Sequence, residues 1–355
     1  MTRLSSEDPL DRRLSDVDRL KRIAVPALKF SLPVLIVGWL LSSISAAEWQ
    51  ALNSRSKQWD RLVLAFLLTF AGVLVTCVRW YMLVRTLGLT FRIRDALRLG
   101  FLGYLLNFVS LGSVGGDLFK AIFIAREQTS RRAEAVASVI ADRVIGLYAL
   151  LVLASGATLL GTVSGQSDLL KRVGQITLIT TVTGGLMVLL FAIAPVEKMT
   201  TLLRRFPLRI ATISLRLVEA LSLYRRKPTA VAAALAVSVL THGMFVAALH
   251  LIASGILELS PSLPEHFVIG PVAFVAGAVP FMPAGFGALE LALDLMYTKV
   301  ASAQLDAGLG VVVALGYRLN TIGVAMVGAI VYWFSKREVD EVLSQGEEAA
   351  GSEVK

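Results

Sequence analysis

Long apolar runs separated by short polar stretches set the pattern of this chain. Residues 30–47, 62–78, 144–167 and 173–196 contain no Asp, Glu, Lys or Arg. Each approaches the roughly 20 residues that a helix needs to cross a bilayer. They predict spanning helices one to four, and residues 228–257 and 307–335 predict the fifth and sixth.

Two further apolar stretches are interrupted. The run from Leu99 breaks at Gly112, Ser113, Gly115 and Gly116 and restarts with Asp117, after which Leu118 to Ala125 is too short to cross. The run from Phe267 breaks at Pro280, Pro283, Gly285 and Gly287 and restarts before Glu290. Glycine and proline release backbone groups from the helical ladder, and in hydrocarbon such groups persist only inside protein or along a wet cavity. The pattern therefore predicts two re-entrant helical hairpins facing a cavity.

Between Pro195 and Pro228, Leu203, Phe206, Ile210, Ile213, Leu217 and Leu221 share one helical face, and Arg205, Arg209 and Arg216 share another. This predicts an amphipathic helix at about 198–227, lying on the membrane surface. With both interrupted segments re-entrant, the basic clusters at Arg85–Arg98, Arg126–Arg132 and Lys198–Lys227 fall on one side. The other side keeps only Arg55, Lys57, Lys171, Arg172 and Lys299. The basic side is expected to be cytoplasmic, with both termini on it.

This topology makes the two halves, about 60–167 and 228–335, inverted copies of one another. In each, a small-residue break, an acid and a later intramembrane arginine recur in that order: Asp117 with Arg143, and Glu290 with Arg318. Inverted repeats with discontinuous helices are typical of alternating-access transporters. The fold expected is an all-α polytopic membrane protein of about six spanning helices plus two re-entrant hairpins. A polar tail (1–29) precedes the membrane domain (30–335), and an acidic tail (336–355) follows it.

Composition agrees with this pattern. The chain is 55% hydrophobic and 17% charged, with a mean hydropathy of +0.70, too apolar for a soluble domain. A formal charge of +9 raises the question of nucleic acid, but the basic residues form no aromatic-interleaved patch. A single cysteine, Cys77, excludes an intrachain disulfide. The mixed charges ahead of the first apolar run argue against a cleaved signal peptide.

The candidate chemistry lies at the breaks and in the helices after them. Arg143 and Arg318 sit in apolar sequence, where a charge costs at least ~2.5 kcal/mol and needs a partner or water. They could grip an anionic group such as a lipid phosphate, or they could pair structurally with Asp117 and Glu290. Arg143 could also snorkel to the cytoplasmic face. Asp142 adjoins Arg143 but points away from it, so the two need not neutralise each other. Asp117 and Glu290 could cap the half-helices that follow the breaks, or couple a proton or ligand. Lys120 lies one turn beyond Asp117, and Asp294 one turn beyond Glu290. His242 and His250 lack metal-binding spacing and no other Cys or His lies near them, so a hydrogen-bonded core role is expected and no metal. GSVGGD lacks the ending of a phosphate-binding P-loop, no nucleophile elbow is present, and no cofactor is expected.

The segments GSVGGDLFKA, EAVASVIADRVIGL and PFMPAGFGALE resemble the lysylphosphatidylglycerol synthase transmembrane family, also called the flippase-like domain family. The resemblance implies a bacterial or archaeal plasma-membrane protein that moves a phospholipid or a polyprenyl-phosphate-linked sugar between leaflets. It places the family's motifs on Gly115, Gly116 and Asp117, on Asp142, Arg143 and Gly146, and on Pro283, Gly285, Gly287 and Glu290. Ala284 departs from the glycine expected in many members. Bifunctional members carry an added soluble aminoacyltransferase domain, whereas a short acidic tail follows span six here, so aminoacyl transfer is not expected. The expected function is an integral-membrane lipid translocator binding an anionic headgroup. The rival readings are a membrane enzyme, or an accessory partner of a lipid-linked glycosyltransferase.

Overall fold

A computed structural model describes Ser42 and residues 46–54, 56–109, 115–160, 168–195, 208–278, 287–299 and 305–352. The described residues form helices in the order α1 (Ala46–Ser54), α2 (Trp59–Thr86), α3 (Ile93–Val109), α4 (Gly115–Glu127), α5 (Arg132–Leu159) and α6 (Asp168–Ile193). Then follow α7 (Leu208–Ser222), a 3-10 turn (Leu223–Arg226), α8 (Pro228–Ile256), α9 (Leu263–Gly277), α10 (Ala288–Lys299) and α11 (Leu309–Ser352). Five of these, α2, α5, α6, α8 and the first part of α11, contain stretches long and apolar enough to cross a membrane. The expected first span, 30–47, falls almost wholly outside the described residues.

Both interrupted stretches become pairs of short helices. α3 packs against α4, and α9 packs against α10. The intervening residues 110–114 and 279–286, which include Pro283 and Gly285, lie outside the described residues. Gly116 and Gly103 explain how α3 and α4 come together: a Cβ on Gly116 would overlap the Gly103 carbonyl. At the other pair, Gly287 has φ +87°, a left-handed conformation that glycine adopts without the Cβ clash other residues meet there. It turns the chain into α10.

Two boundaries differ from the sequence expectation. α5 starts at Arg132, a dozen residues before its uncharged run, because Ala135, Ala137, Ser138 and Ala141 are small enough to bury there. This puts Arg143 near the middle of its helix. The expected amphipathic helix corresponds to α7 and the 3-10 turn after it, which pack on α5 and α8, and its expected first residues, 198–207, lie outside the described residues. α11 runs on to Ser352, through most of the expected acidic tail.

The helices of the two halves interlock. α2 packs along α8, α3 packs against α11, and α9 packs against α5. One apolar cluster draws mainly on α8–α11 and includes Leu249, Ile252, Ile269, Leu293 and Tyr297. Another draws mainly on α2–α5 and includes Trp80, Leu83, Leu99, Leu102 and Ile124. α6 is peripheral, with Ile176, Ile179, Val182, Leu186 and Leu190 exposed along it. In a bilayer that surface would meet lipid.

Candidate functional site

Two cavities open among the helices that carry the charged residues. One, of about 270 Å³, is lined by Arg79, Asp117, Lys120, Asp142, Arg143 and His242, with Trp80, Tyr104, Phe245 and Phe274 as its aromatic walls. The other, of about 240 Å³, is lined by Asn107, Arg318 and Thr321 together with Tyr317. Tyr104, Arg143, Phe245, Phe274 and Ala278 line both. Arg143, from the first half, thus faces the same space as Arg318, from the second.

The charged groups pair in a definite way. Arg143 Nη1 lies 3.2 Å from Asp117 Oδ2, and Lys120 Nζ lies 3.7 Å from Asp117 Oδ1. Neither contact is tight, and Asp117 Oδ2 is buried without a well-aligned hydrogen bond. The Arg143 side chain is 35% exposed. Lys120 also stands 5.4 Å from the centre of the Trp80 ring, within range of a cation–π attraction. Among the described residues, the Gly116 N–H in the first turn of α4 is taken by Asn107 at the end of α3, whose Oδ1 accepts it at 2.9 Å.

In the second half the same order of residues is built differently. Arg318 Nε donates to Glu290 Oε1 at 2.9 Å, and Gly287 N–H donates to Glu290 Oε2 at 2.6 Å. Glu290 therefore both caps its half-helix and holds the arginine, with no exposed surface. Asp294 takes another direction: its Oδ1 accepts the Gly308 N–H at 2.7 Å, tying α10 to the start of α11. Gly310 allows that approach, since a Cβ there would overlap the Asp294 backbone.

Asp142 and Arg143 do point apart, as helical neighbours must. Asp142 turns to Arg79, whose Nε donates to Oδ1 at 2.8 Å with both side chains buried. Arg79 Nη1 then reaches Ser238 on α8 at 2.7 Å. Arg79 was not among the sequence candidates, although it links α2, α5 and α8. Its signal was an arginine directly after the uncharged run 62–78, followed by further apolar residues.

The histidines correct one expectation. His250 does have a histidine neighbour, because α9 brings His266 Nδ1 to within 3.3 Å of His250 Nδ1. His266 also contacts Ser262 O at 2.9 Å and Tyr297 Oη at 2.8 Å, so that α8, α9 and α10 are joined by one buried polar chain. Among the described residues no group of three or more His, Cys, Asp or Glu stands close enough to hold a metal ion.

The cavities, the intramembrane arginines and the apolar helices fit a multi-pass membrane protein. Comparison with curated proteins returns no match. A family model, the lysylphosphatidylglycerol synthase TM region, matches residues 25–329, which include α1 to α10, the first part of α11 and every charged side chain of the two cavities. The chain therefore belongs to the lysylphosphatidylglycerol synthase transmembrane-region family, whose membership points to a membrane function concerned with lipid.

Proposed function

We propose that the protein translocates an anionic lipid between the leaflets of a bacterial or archaeal plasma membrane, without enzymatic activity of its own. In this reading α3–α4 and α9–α10 are re-entrant hairpins that enter from opposite leaflets. Their lengths support it: α4 rises about 20 Å and α10 about 18 Å, against roughly 30 Å of hydrocarbon. The packing supports an inverted repeat that matches α2 with α8, α3 with α9, α4 with α10 and α5 with α11. Under that match the contact of α3 with α11 becomes the contact of α9 with α5, and the α2–α8 contact maps onto itself. The basic loops then face the cytoplasm, as do both termini.

The observation that carries the proposal is Arg143. It lines both cavities, its partner Asp117 holds it loosely, and a third of its side chain is open. A lipid phosphate entering the first cavity meets Arg79, Lys120 and Arg143 against Asp117 and Asp142, so the anion is favoured by charge alone. Acyl or prenyl chains remain in the bilayer while the headgroup crosses through the shared space.

The test is transport by the purified full chain in liposomes carrying fluorescent phosphatidylglycerol. Wild type should equilibrate the label between leaflets, and Arg143→Gln should slow it at least about tenfold. Equal rates for the two proteins would overturn the mechanism. No transport by wild type of any phosphate-bearing lipid would favour the alternative, a membrane partner or enzyme of a lipid-linked glycosyltransferase pathway.

A further inference from the structure

The polar chain that joins α8, α9 and α10 lies outside both cavities, and its contacts are satisfied by a single arrangement of protons. His266 sits in the first turn of α9 with no exposed surface. Its Nδ1 faces the Ser262 carbonyl at 2.9 Å, and its Nε2 faces Tyr297 Oη at 2.8 Å. A carbonyl can only accept, so Nδ1 carries the His266 proton and donates it to Ser262, while Nε2 accepts the Tyr297 O–H. His250 completes the chain from α8, with its Nδ1 3.3 Å from His266 Nδ1. It meets an N–H there and must present a lone pair, which puts the proton of a neutral His250 on Nε2.

A second proton on His250 has no place in this arrangement. His250 is partly exposed, in the last two turns of α8 beside the connection 257–262, so a proton from solvent reaches it before it reaches His266. The imidazolium carries an N–H on both sides, and its Nδ1–H then points at the Nδ1–H of His266. Changing the His266 tautomer does not help, because its Nδ1 would then face the Ser262 carbonyl lone pair to lone pair. The Pro261 carbonyl, in the same connection, lies near both rings and is an acceptor to which the new N–H can turn. The charged groups around the pair do not hold the imidazolium in place. Arg61 of α2, which donates to the Ser254 carbonyl one turn beyond His250, adds a like charge. Glu265 Oε2 on α9 is committed to the Ser262 N–H and hydroxyl, and Glu258 in the connection is exposed.

We propose that the His250–His266 contact is a pH switch between α8 and α9: uptake of one proton by His250 breaks its hydrogen bond with His266, turns its ring toward the Pro261 carbonyl and releases the start of α9 from α8. The other end of α9 carries Phe274, and Ala278 just after it, to the walls of both cavities. The switch therefore acts on the shared space from outside it. It concerns how α9 is held and not what passes beside it, so it stands apart from the translocator reading.

Hydrogen–deuterium exchange of the full chain in detergent, read on peptides covering Leu263–Gly277 and corrected for the intrinsic pH dependence of amide exchange, tests the switch between about pH 8 and pH 5, where a histidine changes charge. The α9 amides of wild type should lose about five- to tenfold of their protection in acid, the worth of one hydrogen bond. His250→Gln, whose side-chain carbonyl accepts from His266 without titrating, should keep the neutral level of protection at both ends of the range. His250→Leu, which offers no acceptor, should show the acid level throughout. Protection in wild type that does not change with pH would overturn the switch. So would an acid loss that persists in His250→Gln, since the titrating group would then lie elsewhere, and so would a His250→Leu protein as well protected at neutral pH as wild type.

Discussion

The two acid–arginine pairs, Asp117 with Arg143 and Glu290 with Arg318, come from the same order of residues and end in opposite conditions. Glu290 is fully buried, and both of its oxygens accept directed hydrogen bonds. Asp117 is shared by two cations at 3.2 and 3.7 Å, with one oxygen poorly satisfied. In the second half Glu290 caps the half-helix itself and is fixed by it. In the first half, among the described residues, Asn107 takes the Gly116 N–H, and Asp117 lines the cavity beside its two cations. One acid is sealed inside the fold and the other borders a cavity.

The sharpest way to break this contrast is to remove each acid. Glu290→Ala leaves the Arg318 guanidinium buried without its carboxylate and the Gly287 N–H without an acceptor. Removing one partner of a buried pair costs about 3–5 kcal/mol. Asp117→Ala, at a pair whose arginine is a third exposed and whose contacts are longer, should cost less, about 1–2 kcal/mol. Thermal unfolding in detergent, followed by tryptophan fluorescence, compares them. Equal losses would mean that the two pairs do the same work and that the distinction drawn from their geometry is wrong.

Somewhat smaller effects are expected at the third ion pair, which decides whether burial or position makes a pair structural. Arg79 and Asp142 line the open cavity and yet are buried like Glu290 and Arg318. Arg79→Met or Asp142→Leu alone should cost about 3 kcal/mol, because each strands the opposite charge. The double variant should recover most of that loss, to within about 1 kcal/mol of wild type, since an apolar pair of similar volume replaces the ion pair. Losses that simply add would show that the two side chains stabilise the fold through separate contacts, Arg79 through Ser238 for example.

Some of this arrangement was legible along the chain, and the limits were physical. An arginine in apolar sequence, and an acid just past a glycine break, announce themselves, because each is costly in hydrocarbon unless something answers it. That reasoning singled out Asp117, Arg143, Glu290 and Arg318, and it named the ion pairs among several options. It missed Arg79, which reads as the first polar residue of a loop and is placed inside only by a helix extending to Thr86. It missed the start of α5, where burial is achieved by alanine and serine rather than by large apolar side chains, so hydropathy is weak. It missed the neighbourhood of His250, since His266 lies sixteen residues away and arrives only through the packing of α9 on α8. Asp294 shares a helical face with Glu290, but periodicity cannot say which neighbour a face meets, and α11 supplies a backbone N–H instead of a ligand.

The smallest stability effect bears most directly on the open pair. Asp117→Asn keeps the shape of the side chain and removes its charge, so the fold should lose only about 0.5 kcal/mol. Its consequence for an anion should be larger and of opposite sign. In the proposed mechanism Asp117 and a lipid phosphate compete for Lys120 and Arg143, and the phosphate displaces a carboxylate to bind. Without that competitor the cations remain in the cavity, with a net charge raised by one. Phosphatidylglycerol should then bind about three- to tenfold more tightly by native mass spectrometry, and its transport in liposomes should slow, because release has become the harder step. Weaker binding in Asp117→Asn would mean that the carboxylate positions the two cations for the phosphate. The first pair would then be a scaffold like the second, reached through looser geometry.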